Sequence, residues 1–343
     1  MSGLVDYGML FPKAKSLLAN ESPRLAGSAD KEFMTNLPWI LVEDYRQGTG
    51  WVRGEQREAR SRAYCELLEK GQILFFREPP FGFPAADQEF LLAQEWTDLR
   101  LHKNVSYRPS EDVLRGISGD SGTVERVHSI FRNYSAQVVK FLSEFLSPYA
   151  GRWALDFASF RPIEEERRGL PLHKRNDLLH VDAFPSRPTR GGRILRVFTN
   201  LNREKPRVWN TTEDFESLAR AHAEHAGLRQ IAEDDDFVSR TVQNWGAKLG
   251  FGGFGRTPYD MFMLRFHDYL KENREFQKDC PKIRMEFPPL ATWIVFTDCV
   301  AHAVLSGRFA IEQTFLVPPT ALVAPQFAPY KILENIAGRP LVS

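Results

Sequence analysis

The chain has 343 residues, 43% hydrophobic and 26% charged, with a formal net charge of +1. That balance excludes a disordered tail and a strongly basic nucleic-acid binder, and the length suits two average domains or one large β-rich domain with additions. Three widely spaced cysteines, Cys65, Cys280 and Cys299, with no CxxC pair, exclude a disulfide framework and a thiolate zinc site and fit a reducing compartment.

The start, "MSGLVDYGMLFPKAKSLLAN", lacks the basic, apolar and small-residue regions of a secretory signal. The longest apolar runs, such as "ATWIVF", fall far short of the ~20 residues a membrane helix needs. The expectation is a cytoplasmic protein with no transmembrane segment, leaving peripheral contact with the inner membrane open. Residues 1–50 are punctuated by Pro, Gly and Ser without a sustained period and read as an N-terminal extension with no assigned role. Residues 51–343 read as a single domain.

Residues 54–70 predict an amphipathic helix closed by Gly71, and "QILFF" (72–76) a short buried strand. Residues 86–98 read as helical and residues 104–122 as a loop with Ser-Gly and Gly-Asp turn signals. In 123–147, Val127, Ile130, Phe131, Val138, Phe141, Leu142 and Phe145 recur at helical spacing. Residues 51–150 are therefore mostly helical support.

After Pro148 strands dominate: 153–163, "LLHVDAF" (178–184), "RILRVFTNLN" (193–202), then 282–287, 291–298 and 308–317. A helical insert occupies about 211–276 and includes a Gly-rich stretch, "GFGGFGRTP", read as a loop or lid because it lacks the lysine and framing of a P-loop. Short strands preceded by helices predict a mainly β protein with α additions, its core within 151–320 as an antiparallel sandwich or barrel. Residues 152–207 carry eleven Arg and two Lys against seven acids, whereas 211–236 carry eight acids against two Arg. This pattern reads either as two solvated faces or as an arginine-rich cleft for an anionic ligand.

In "LLHVDAF", strand alternation puts His180 and Asp182 on one face. His302 stands between two later strands, at the expected end of the first. Two imidazoles and one carboxylate form the facial ligand set of non-haem Fe(II) oxygenases, whose opposite face stays open for a bidentate cosubstrate and O2. The alternative is a hydrogen-bonded pair at a strand edge. Arg308 follows His302 by six residues, and a 2-oxoglutarate oxygenase needs a cation for the cosubstrate's distal carboxylate. Thr314 shares Arg308's face by alternation and offers a hydroxyl to the same group; the other reading pairs Arg308 with Glu312.

The segments "HVDAFPSRPTRGGRILRVFTNLN" and "FTDCVAHAVLSGRFAIEQTFLV" resemble the signature segments of the Kdo hydroxylases, and the resemblance covers roughly residues 50–330. It implies a double-stranded β-helix (jelly-roll) core flanked by helices, with His180, Asp182 and His302 on Fe(II) and Arg308 on 2-oxoglutarate. It also implies hydroxylation of C3 of 3-deoxy-D-manno-oct-2-ulosonic acid (Kdo) on lipid A precursors. Kdo carries a carboxylate and lipid A carries phosphates, so Arg161, Arg190, Arg193 and Arg196 become candidate substrate contacts, with fold-stabilising roles as the alternative. Asn200 and Asn202 become candidates to orient sugar hydroxyls or the cosubstrate, or else to cap a turn. The implied partner is a Kdo-containing glycolipid and not nucleic acid. The competing classes are a cupin-type metalloenzyme acting without 2-oxoglutarate and a non-catalytic sugar- or lipid-binding module.

Overall fold

In the computed structural model, residues 38–52, 56–94, 96, 104–164, 171–233 and 256–342 are described. The run Ile73–Phe76 (β4) is buried at every position, so it can only be an interior strand. It pairs in parallel with Trp39–Leu41 (β1) and antiparallel with Thr292–Phe296 (β11). Further antiparallel pairings add Arg193–Asn200 (β8), Ala310–Val317 (β13), Ala154–Arg161 (β7), Val105–Arg108 (β5) and Val113–Arg115 (β6). The result is an eight-stranded sheet in the order β1-β4-β11-β8-β13-β7-β5-β6. A three-stranded sheet, β10-β9-β12, is built from Ile283–Phe287 (β10), Arg207–Thr211 (β9) and His302–Ser306 (β12). A two-residue ribbon, Tyr45–Arg46 (β2) with Gly50–Trp51 (β3), precedes Arg57–Glu69 (α1).

Aromatic side chains fill the space between the two sheets. Trp209 and Phe287 from the small sheet lie 5.1 Å from Phe198 and 3.9 Å from Trp293 of the large one, ring centre to ring centre. The outer face of the large sheet is covered by α1 and by Ser121–Phe145 (α3), and Ala85–Ala93 (α2) is tied to the end of β8 by Gln88 Nε2, which donates to Leu201 O at 2.8 Å. Asp120 caps α3 by accepting from Thr123 N at 2.9 Å. The predicted apolar stripe of α3 is buried, with Phe141 and Phe145 at 5.7 and 5.3 Å from Phe76. This is the jelly-roll-type core flanked by helices that the strand pattern and the resemblance predict.

Past β9 come Phe215–His222 (α4), Leu228–Glu233 (α5), Pro258–Glu272 (α6) and Arg274–Asp279 (α7), and Pro329–Ala337 (α8) closes the fold. At the start of α6, Thr257 and Asp260 form a reciprocal capping box. Asp260 Oδ1 also accepts from Thr189 N at 2.7 Å and Arg190 N at 3.0 Å, which ties the loop after Asp182 to the helix.

Several elements differ from the sequence reading. Residues 104–122 hold the β5–β6 hairpin rather than a loop, turning at Asp112 (φ 52°), whose carboxylate accepts from Tyr107, Arg132 and His128. The segment 178–184 is not a strand. Leu179 and Val181 are both buried, and only His180 makes a β-bridge, to His302. His302 begins a strand rather than ending one. The helix expected over 86–98 stops at Ala93, where Trp96 Nε1 donates back to Leu91 O at 3.0 Å. The end of the helical insert is not one continuous helix: it breaks at Asn273, whose side chain caps the next helix at Phe276 N. The terminal helix α8 was not expected, although Pro at its first position and Gly338 (φ 70°) after its last are ordinary helix punctuation. Residues 1–37 of the N-terminal extension and residues 234–255 of the helical insert, with most of the Gly-rich stretch, lie outside the described residues.

Candidate active site

His180 and His302 face each other because their backbones exchange two hydrogen bonds, His180 N to His302 O at 3.2 Å and His302 N to His180 O at 2.9 Å. Asp182 N donates to Thr297 O at 2.8 Å, just past the end of β11. One donor atom each from His180, Asp182 and His302 lies within 4.8 Å of the other two. The imidazoles are 4% and 5% exposed, so a mobile surface pair is ruled out.

The tautomers follow from the backbone. His180 Nδ1 lies 2.7 Å from Leu178 O, and His302 Nδ1 lies 2.9 Å from Val300 O. A carbonyl oxygen only accepts, so each Nδ1 carries the proton and each Nε2 presents a lone pair. Burial pushes both imidazoles below their ordinary pKa, His180 the further because His302, Lys271 and His267 lie near it. Burial alone would raise Asp182, but the Arg196 guanidinium, 3.0 Å from its Oδ2, holds it well below the usual carboxylate range. Two neutral imidazoles and one carboxylate suit a divalent first-row metal of the ferrous kind.

Behind the donors is a charge network on the inner face of the large sheet. Glu312 Oε1 accepts from Arg161 at 3.0 Å and Arg196 at 3.1 Å. Burial opposes ionisation of Glu312, but the two guanidiniums hold its pKa below the ordinary value. With Asp182 counted, two guanidiniums balance two carboxylates. Thr314 is paired across the sheet with Arg196 and shares that face. Beside Asp182 lies a narrow cleft lined by Phe184, Arg187, Ile194, Tyr259 and Asp298, among others. The Arg187 guanidinium is held between Phe157 and Phe184, at 4.3 and 4.5 Å from the ring centres, and pairs with Asp156.

The sequence matches the family model for 3-deoxy-D-manno-oct-2-ulosonic acid (Kdo) hydroxylase over residues 52–340. The chain belongs to the Kdo hydroxylase family. Its fold superimposes on the apo structure of KdoO, a non-haem Fe(II) α-ketoglutarate-dependent dioxygenase, with a TM-score of 0.75 at 34% identity, covering 89% of this chain and 98% of that one. The KdoO complex with α-ketoglutarate and Fe(III) matches with a TM-score of 0.74 at 33% identity, covering 89% and 98%. The cobalt(II) complex matches at 0.75 and 34%, covering 90% and 98%. No curated protein sequence matches.

Within this Kdo hydroxylase fold the other candidate residues separate cleanly. Arg308 is not in the site. It sits in the tight turn between β12 and β13, where Gly307 and Phe309 have φ of 116° and 62°, and its exposed guanidinium lies 3.9 Å over the Phe309 ring. The turn swings it off the inner face, and Glu312, its suggested partner, is engaged by Arg161 and Arg196 instead. Arg193 is also corrected as a substrate contact. It is fully buried, donating to Asp298 at 2.7 Å over the Phe296 ring at 4.3 Å. Arg190 is exposed in a left-handed turn (φ 52°), with its backbone tied to Asp260. Asn200 and Asn202 cap turns: Asn200 Nδ2 donates to the carbonyls of Lys205 and Phe287, and Asn202 Oδ1 accepts from Glu204 N and Lys205 N. The Asn200 amide is engaged by backbone through both its nitrogen and its oxygen, and Asn202 is held through its oxygen, so both sit in the turn-capping role.

Arg187 and His267 had no role in the sequence reading, and Glu312 entered it only as a partner for Arg308. His267 donates to Val181 O at 2.7 Å, between two of the donors, and packs edge-on against His180 at 4.9 Å. Nothing short of the three-dimensional crossing of α6 signals it.

Proposed function

We propose that this chain is an Fe(II)- and 2-oxoglutarate-dependent dioxygenase. Its reaction is hydroxylation of C3 of Kdo on a lipid A precursor, giving D-glycero-D-talo-oct-2-ulosonic acid. The observation that carries the reading is the buried set His180, Asp182 and His302, with both imidazole Nε2 lone pairs free of hydrogen bonds to backbone. Such a set leaves half of an octahedron open, as oxygen chemistry requires.

Iron and 2-oxoglutarate supply the oxidation, coupling decarboxylation to succinate with insertion of one oxygen atom of O2 into a C–H bond. The protein's own residues do the rest. His180 and His302 would hold the metal through Nε2, and Asp182 through its carboxylate, which Arg196 keeps ionised and oriented. Arg161 and Arg196 take over the cosubstrate role expected of Arg308, with Thr314 beside them. Charge supports this assignment: the inner-face residues are neutral as a set, so a ferrous ion and a dianionic cosubstrate arrive as a matched pair. The aromatic walls keep water away from the reacting carbon. Arg187, at the mouth beside Asp182, suits the Kdo carboxylate.

Among the described residues no helix is long and apolar enough to cross a membrane, so a glycolipid acceptor calls for peripheral approach to a membrane surface. Anaerobic addition of Fe(II) and then 2-oxoglutarate should produce a metal-to-ligand charge-transfer band. Mass spectrometry of the lipopolysaccharide core from cells expressing the chain should show Kdo heavier by one oxygen. A colourless complex together with unchanged Kdo would reject the reading in favour of a binding module or a 2-oxoglutarate-independent enzyme.

A further inference from the structure

Two indoles in the core lack an acceptor for their N–H. Trp209 and Trp293 are 1% and 0% exposed, and neither Nε1 has a hydrogen-bond partner. A buried Trp ordinarily finds one, and leaving it without costs about 1–3 kcal/mol. Phenylalanine would fill much of the same space without that penalty, so packing alone does not account for indole at both places.

The rings are also in sequence through space. Trp209 stacks on the His302 imidazole, 5.0 Å between ring centres and 23° between planes. It meets Trp293 at 5.5 Å, and Trp293 lies flat on Phe287 at 3.9 Å. Phe287 is 6.2 Å from Phe75, and Phe75 is 6.2 Å from Trp39, which is half-buried on the edge strand β1. The series begins on a metal-donor residue and ends at solvent.

We propose that Trp209, Trp293 and Trp39 form an electron path that discharges the metal centre when it is oxidised with no acceptor sugar in place. This rests on the oxygenase reading above. A turnover that decarboxylates 2-oxoglutarate without substrate leaves an oxidising equivalent that needs two electrons and two protons to return to Fe(II) and water. The path supplies the electrons one at a time. Trp209 is oxidised to its radical cation and is refilled from Trp293, and the vacancy settles on Trp39. The phenyl rings of Phe287 and Phe75 are harder to oxidise, so they bridge rather than store. A buried N–H without an acceptor cannot shed its proton, so the vacancy is not trapped midway as a neutral radical. Protons reach the centre from pocket water. A solvent reductant of the ascorbate or thiol class restores Trp39, giving one electron for each vacancy. Without that reductant, two successive vacancies fall on Trp39, which releases two protons as a solvent water adds to the indole, and it gains one oxygen covalently.

The test uses the whole protein with Fe(II), 2-oxoglutarate and air, no Kdo acceptor, and peptide mass spectrometry of every tryptophan. Oxygen gain should concentrate on Trp39, far above Trp153, which is also half-buried but packs on Phe315 away from the path. Ascorbate, or Co(II) in place of Fe(II), should abolish the gain. Trp293→Phe should remove it from Trp39 and move damage to peptides holding His180 and His302. Should that variant not fold, Trp39→Phe, at the sheet edge, should move damage inward in the same way. Succinate is measured in the same tubes. Succinate with equal gain on Trp39 and Trp153, or with gain on Trp39 unaffected by Trp293→Phe, overturns the path alone. No succinate at all overturns the oxygenase reading and, with it, the path.

Discussion

Removing Asp298 should cost more stability than any surface change, because of what it leaves behind. Arg193 is fully buried, and its guanidinium donates from Nε to Asp298 Oδ2 at 2.7 Å. Asp298 Oδ1 also accepts from Ile194 N at 3.2 Å. Asp298→Ala therefore strands a buried guanidinium over the Phe296 ring and deprives one backbone N–H of its partner. Breaking a buried pair from one side costs about 3–5 kcal/mol, a large part of the 5–15 kcal/mol that holds a typical domain together. Replacing both partners, Asp298→Leu with Arg193→Met, removes the stranded charge and should recover most of the loss. Urea unfolding followed by tryptophan fluorescence reads both. The residue before Asp298 is Thr297, whose carbonyl anchors Asp182, so Asp298→Ala should also weaken Co(II) binding. An Asp298→Ala loss under about 1 kcal/mol, or a double variant no better than the single, would refute the argument that the pair is an uncompensated charge in waiting.

Asp182→Ala should leave the circular-dichroism spectrum intact while abolishing both Co(II) binding and succinate formation; retained turnover would remove Asp182 from its role. Arg161→Met and Arg196→Met should each raise the KM for 2-oxoglutarate about 30-fold, equivalent to about 2 kcal/mol, whereas Arg308→Ala should leave it unchanged; the reverse pattern in steady-state kinetics would restore Arg308. The Arg132 guanidinium, with Tyr107, lowers Asp112 from the ordinary carboxylate range to about 2. A carboxyl lowered on folding contributes stability above its unfolded pKa and loses it as pH falls through the folded one. Thermal midpoints measured from pH 4 down to about 2 should therefore fall less steeply for Asp112→Asn than for the parent protein.

Local patterns carried much of this fold. The stripe of α3 and the all-apolar β4 could be read because their periods are properties of adjacent residues. The donors were readable from the His-X-Asp spacing together with a distant His302 and, above all, from the resemblance of both segments to the Kdo hydroxylases; the spacing alone is common by chance. What failed depended on the fold's third dimension. Alternation placed Thr314 correctly on a face but could not show that the face belongs to Arg196, 118 residues earlier, rather than to Arg308. Positive φ at Gly307 and Phe309 turns Arg308 outward, and Phe309 carries no sequence mark of that conformation. The segment 178–184 reads as a strand because its apolar residues alternate, yet it is buried coil joined to β12 by one bridge.

That single bridge has its own consequence. The spacing of the two imidazoles is set by a reciprocal pair of peptide hydrogen bonds. The cradle is thus shaped as the polypeptide folds, before any cation arrives. A chelator should strip such a centre without unravelling it, and ferrous salt added back should revive it within the time of mixing, with no refolding step between.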